Sequence, residues 1–180
     1  IAICHQQQND SARAIDALQQ AYDINPRSAA INNDLGYTLA DANLRMPEAE
    51  QMIRFALRRQ PGNGAYIDSF GWVLYKTGKF ERALHWLEKA SLSVNNDDPV
   101  VHDHLGDAYW RTGSVDKAVE HWTKCIELAK KDAETNPTVA ISRQLTDRVQ
   151  GKLDAQTRGE MPGVAPLGNQ GEENENADNP

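Results

Sequence analysis

The sequence predicts an all-α solenoid built from antiparallel helix hairpins, and three observations carry that expectation. Gly36, Gly71 and Gly106 recur at intervals of 35 residues, and Ala14, Ala49, Ala83 and Ala118 recur at steps of 34 or 35. Apolar residues between these markers keep helical spacing, broken at a turn glycine, Gly78 in one unit and Gly113 in the next. Helices approach closely only where no long side chain intervenes, so a fixed period of small residues marks the contacts within and between hairpins. Replacing Gly71 or Ala83 with Leu is therefore expected to force helices apart, at about 1–3 kcal/mol.

Taken in order, the units occupy residues 1–134. The first, residues 1–27, is partial: 11–26 supply a second helix with Ala14, Leu18 and Ala21 and a terminating Pro26, and 1–7 are the remnant of a first helix. Ile1, Ile3 and Ile15 would leave an apolar end uncapped, so further repeats are expected upstream. The second unit, 28–62, places Leu35, Gly36 and Leu39 on its first helix and Ala49, Ile53 and Ala56 on its second, and it ends at Pro61-Gly62. Its turn is one residue longer than the others, and Pro47 fits the first turn of the helix that follows. The third, 63–97, repeats the pattern with Ile67, Phe70, Gly71 and Leu74, then Ala83, Leu87 and Ala90. The fourth, 98–134, has His102, Leu105, Gly106, Tyr109, Ala118 and Trp122 in matching places. Residues 136–157 read as a capping helix, started by Asn136 and Pro137, with Ile141, Leu145, Val149 and Leu153 as one buried stripe and Arg143, Asp147, Arg148 and Lys152 solvated. Residues 158–180 combine Gly, Pro, Asn and Glu with few large apolar side chains and read as a disordered acidic tail.

Composition excludes several functions. A hydrophobic content of 39% suffices for a core, and the sequence has no membrane-spanning apolar run. The formal charge is −7, more than half of it in the tail, and no Lys/Arg block exists to neutralise phosphates, which argues against nucleic acid as a partner. Cys4 and Cys125 fall at opposite ends of the array, so no disulfide is expected between them. His121 and Cys125 lie four apart and His102 and His104 two apart, but packing accounts for these places without a four-ligand set, so no metal is expected. No phosphate loop, nucleophile elbow or HExxH is present, and the Asp residues recur once per repeat instead of converging. Neither an enzyme nor a cofactor is expected.

The phrases LGYTLAD at 35–41, DSFGWVLYKTG at 68–78 and DHLGDAYWRTG at 103–113 resemble bacterial tetratricopeptide-repeat proteins, in the C-terminal repeats of a longer solenoid. The resemblance implies a right-handed superhelix with a capping helix, acting as a scaffold or adaptor. Some similar proteins are envelope lipoproteins, which leaves the bacterial periplasm or envelope and the cytoplasm both open. Family geometry would place Asn33, Tyr37 and Asp41 in the concave groove, followed by Asp68, Trp72, Tyr75 and Lys76, then Asp103, Asp107, Trp110 and Arg111. Aromatics among carboxylates suit a peptide-binding surface that selects basic and apolar residues of a partner protein. Asp68 and Asp103 stand where carboxylate-clamping relatives carry cations, so a chaperone C-terminus would meet like charge. The alternative is a structural module that self-associates or stacks on upstream repeats and leaves its groove empty.

Overall fold

The computed structural model describes residues 2–93, 97–135 and 140–168, and all regular structure among them is helical. The elements are α1 (Ala2–Ile24), α2 (Ala29–Asp41), α3 (Met46–Arg59), α4 (Gly64–Lys76), α5 (Phe80–Ser91), α6 (Pro99–Arg111), α7 (Val115–Thr135) and α8 (Ala140–Thr157). Three hairpins form, α2 with α3, α4 with α5 and α6 with α7; each stacks on the next, and α8 packs on α7. This is an all-α tetratricopeptide-type solenoid.

Local chemistry starts and stops the helices. Ser28, Asn63 and Asp98, themselves 35 residues apart, cap α2, α4 and α6, and each side-chain oxygen accepts a backbone N–H of the first turn. Within two hairpins the chain reverses through a left-handed glycine, Gly78 at φ 75° and Gly113 at φ 82°. The longer α2–α3 turn has no glycine, and Asn43 (φ 57°) and Arg45 (φ 48°) take the left-handed places. Arg45 is steadied there by Glu48 and by Gln19 of α1.

The periodic glycines sit at the closest approach within each hairpin. A Cβ built on Gly36 would lie 2.9 Å from the Ala49 carbonyl oxygen, on Gly71 2.7 Å from Leu87 Cγ, and on Gly106 2.3 Å from Trp122 Cδ1. Ala49, Ala83 and Ala118 are fully buried, in a continuous core that also holds Leu35, Leu39, Ile53, Leu74, Leu87, Leu105 and Trp122.

Three expectations are corrected. The first unit has no turn: α1 runs unbroken through 2–24, and no glycine or proline interrupts the sequence before Pro26. Lys152 is not solvated but 3% exposed, on the same helix whose Leu145 and Val149 are buried. The stretch from residue 158 is not wholly disordered, since 160–168, without regular structure, lie in the groove and make specific hydrogen bonds. The side chains of Ile1, Ile3, Cys4 and Ile141 and the acidic stretch 169–180 lie outside the described part of the structure. Cys125 is a buried free thiol, its pKa pushed up to about 12 by burial.

Candidate peptide-binding groove

The first helices α2, α4 and α6 line one face, and α8 continues the row. Across this face each helix hydrogen-bonds to the next. Trp72 Nε1 donates to Asp41 Oδ1 at 3.2 Å, and Lys76 Nζ donates to the Asp41 carbonyl at 3.1 Å. His104 Nδ1 lies 3.0 Å from Asp68 Oδ1. Lys152 Nζ sits 2.6 Å from Asp103 and 2.5 Å from Asp107, and Arg148 reaches Asp103 at 2.5 Å. Trp122 Nε1 also donates to Asp107. The rings form a column, with Trp72 stacked on His104 at 3.8 Å and on Tyr75 at 4.9 Å.

Burial and charge oppose each other at these contacts. Burial alone would neutralise the His104 ring, but the facing Asp68 carboxylate outweighs it and raises the pKa. At Asp103 burial is likewise overcome, by Lys152 and Arg148, and the pKa falls; at Asp107 burial prevails and it rises. Burial holds Lys76 below its ordinary value.

The eleven residues expected in the groove therefore divide. Asp68, Trp72, Tyr75, Lys76, Asp103 and Asp107 are all buried, and their polar atoms are bonded within this chain. Trp110 is half-buried, tilted against Trp122 at 6.0 Å. Arg111 is exposed and donates from Nε to the Tyr75 hydroxyl at 3.2 Å. At the α2 end Asp41 is exposed and Tyr37 half-buried, and the buried Asn33 Oδ1 has no hydrogen-bond partner among the described residues.

Arg148 and Lys152 both belong to the site; Arg148 is exposed, as the stripe argument expects, and Lys152 is buried, against that expectation. Their spacing of four matches that of Asp103 and Asp107, a complementarity visible in the sequence once the two helices are set side by side.

A second set of groove contacts comes from residues 160–168. The Ala165 N–H donates to Asp107 Oδ2 at 2.9 Å, and its carbonyl accepts from the Tyr75 hydroxyl at 2.9 Å and from Arg111 at 3.2 Å. The Gly168 N–H donates to the Lys76 carbonyl at 2.9 Å. Burial, then the Asp107 charge, pushes the Tyr75 pKa up to about 12, so this hydroxyl remains a donor at neutral pH. Behind the groove, His102 and His121 meet with their Nδ1 atoms 2.9 Å apart, and burial lowers the pKa of both rings, that of His102 to about 4. Among the described residues, no group of three or more His, Cys, Asp and Glu is placed to hold a metal.

Family models of the tetratricopeptide repeat match residues 2–64 and 101–132. A TPR repeat-containing protein of Pseudomonas aeruginosa, PA4667, is 35% identical over 102 residues, 57% of this chain. The chain spans 17% of the length of that relative. Among solved structures, the TPR protein TTC0263 of Thermus thermophilus superposes with a TM-score of 0.56 at 17% identity, over 81% of this chain and 75% of the other. A double mutant of MamA RS-1 gives 0.53 at 19% identity, over 72% of each chain. With the period, the capped hairpins and the close-packed glycines, these matches place the chain in the bacterial tetratricopeptide-repeat family.

Proposed function

We propose that the chain is a non-enzymatic scaffold whose concave face holds an extended segment of another protein. One observation carries this: the face already holds a non-helical segment, residues 160–168, through hydrogen bonds to its main chain at Ala165 and Gly168. Main-chain bonding gives affinity to a segment of varied sequence, while the side chains at each place set preference. The open α2 end adds the exposed Asp41 carboxylate, which favours a basic or amide-bearing residue on the partner. The formal charge of −7, with no basic block, argues for protein and against nucleic acid.

A photo-crosslinking amino acid at position Tyr37, compared with one at His85 on the outer helix α5, tests this. The expected result is a groove-specific adduct that maps to a short linear segment of another protein, competed away by a synthetic peptide of that segment. Equal crosslinking from both positions would contradict groove binding. Adducts only between copies of this chain would favour the self-associating module instead.

A further inference from the structure

We infer that residues 160–168 are an internal copy of the groove's ligand, and that a partner binds by displacing them with a segment of the same kind: non-helical, proline-containing, with small residues where Ala165 and Gly168 sit. The inference rests on the groove-binding reading above and specifies its ligand.

The segment EMPGVAPLG suits a site that takes no regular structure. Pro162 and Pro166 carry no N–H, and they occupy places where none is used: the Val164 N–H closes a tight turn onto the Pro162 carbonyl, and the N–H groups that bond the groove are those of Ala165 and Gly168. Pro166 also holds Ala165 extended before any contact forms, because the residue before a proline avoids the helical region. Less conformational freedom is then lost on docking.

The groove distinguishes inward from outward residues. Pro162 and Gly168 are buried and Val164 and Ala165 pack against the core, whereas Met161 is 81% and Leu167 38% exposed. A Cβ on Gly168 would lie 3.2 Å from Met46 Cγ, 3.3 Å from its Sδ and 3.4 Å from the Lys76 carbonyl oxygen. A methyl group there needs Met46 to give by a few tenths of an ångström, and a larger side chain more, so glycine fits best. The ligand class is thus Pro-x-Val-Ala-Pro-x-Gly, with the two x positions free.

The segment follows α8 after the turn at 158–159, and Arg148 and Lys152 anchor that helix to Asp103 and Asp107. So short a tether gives an effective concentration of about millimolar. A partner segment must exceed that, by higher intrinsic affinity or by contacts beyond the overlap at Tyr37 and Asp41.

The test uses the full chain and a fluorescein-labelled peptide of residues 160–168. The double variant Ala165→Pro, Gly168→Val removes the N–H given to Asp107 and obstructs the Met46 contact, leaving every groove side chain in place. By fluorescence anisotropy the variant is expected to bind the peptide at least tenfold more tightly than the parent. A peptide with Gly168→Val should lose this binding, and one with Leu167→Glu should keep it. Equal affinity for parent and variant, no binding by the variant at millimolar peptide, or indifference to Gly168→Val overturns the inference. Hydrogen exchange on the parent gives a readout independent of the variant's folding. The Ala165 and Gly168 amides should exchange at least tenfold more slowly than in the free peptide, and unprotected rates overturn it. Failure here with a groove crosslink at Tyr37 would reject the internal ligand and leave the scaffold function; the converse result would reject the outside partner.

Discussion

The two ends of the concave face carry acidic residues on equivalent first helices and hold them differently. At the α6 end Asp103 and Asp107 are 2% and 1% exposed, covered by Lys152 and by residues 160–168, with Arg148 at the rim. At the α2 end Asp41 stays exposed and meets an indole N–H. What differs is the next helix in the row. α8 brings two cations to α6, whereas α4 brings Trp72 and Lys76 to α2, and that lysine bonds the Asp41 main chain instead of its carboxylate. A groove position in a repeat is therefore available to a ligand only if the following first helix does not satisfy it.

The largest test of this contrast is Lys152→Met. Removing the cation leaves two buried carboxylates without their shared partner, and the loss should be about 3–5 kcal/mol by denaturant unfolding followed by circular dichroism. If it falls below 1 kcal/mol, the sealed end is not held by charge. Next comes Gly106→Ala, whose methyl group must displace the Trp122 ring and, through Trp122 Nε1, disturb Asp107. A cost of about 1–3 kcal/mol is expected, read as a lowered thermal midpoint.

His104 sits between the two ends, and its effect depends on pH. Its folded pKa is raised above the ordinary 6.5, so the folded state binds more protons than the unfolded state as pH rises past 6.5. The stability it contributes is full below pH 6.5 and lost as pH rises through the folded value. His104→Gln should remove that decline when unfolding is measured from pH 6 to 9, and an unchanged slope would show that the ring is neutral.

At the open end the effects are smaller. Asp41→Ala removes one acceptor from Trp72 Nε1 and should cost about 1 kcal/mol in the same unfolding assay. His85→Ala, on the exposed side of α5, should change stability by under about 0.5 kcal/mol. If Asp41→Ala proves as damaging as Lys152→Met, the two ends are equally structural and the comparison collapses.

Much of the scaffold was legible because it depends on period. Gly36, Gly71 and Gly106 mark the hairpin contacts, and the Ser28, Asn63 and Asp98 caps, at the same interval, could have sharpened the helix starts. The site was less legible, because the register of a groove residue does not state what faces it. Trp72, Asp68 and Asp103 read as ligand contacts and are instead bonded to Asp41, His104 and Lys152. α7, with 21 residues against 12 in α5, shifts the register of α8, so the Arg148 and Lys152 pairing does not follow the 35-residue interval.

The sequence by itself determined the hairpins, their turns and their stacking, since these follow from local propensity and from small residues at a fixed spacing. Tertiary structure alone decided which groove groups remain open and where residues 160–168 lie. Two prolines and two glycines in nine residues leave them no regular structure of their own, and they are held by main-chain bonds to Asp107, Tyr75, Arg111 and the Lys76 carbonyl, partners 54 to 92 residues away that only the folded solenoid brings within reach.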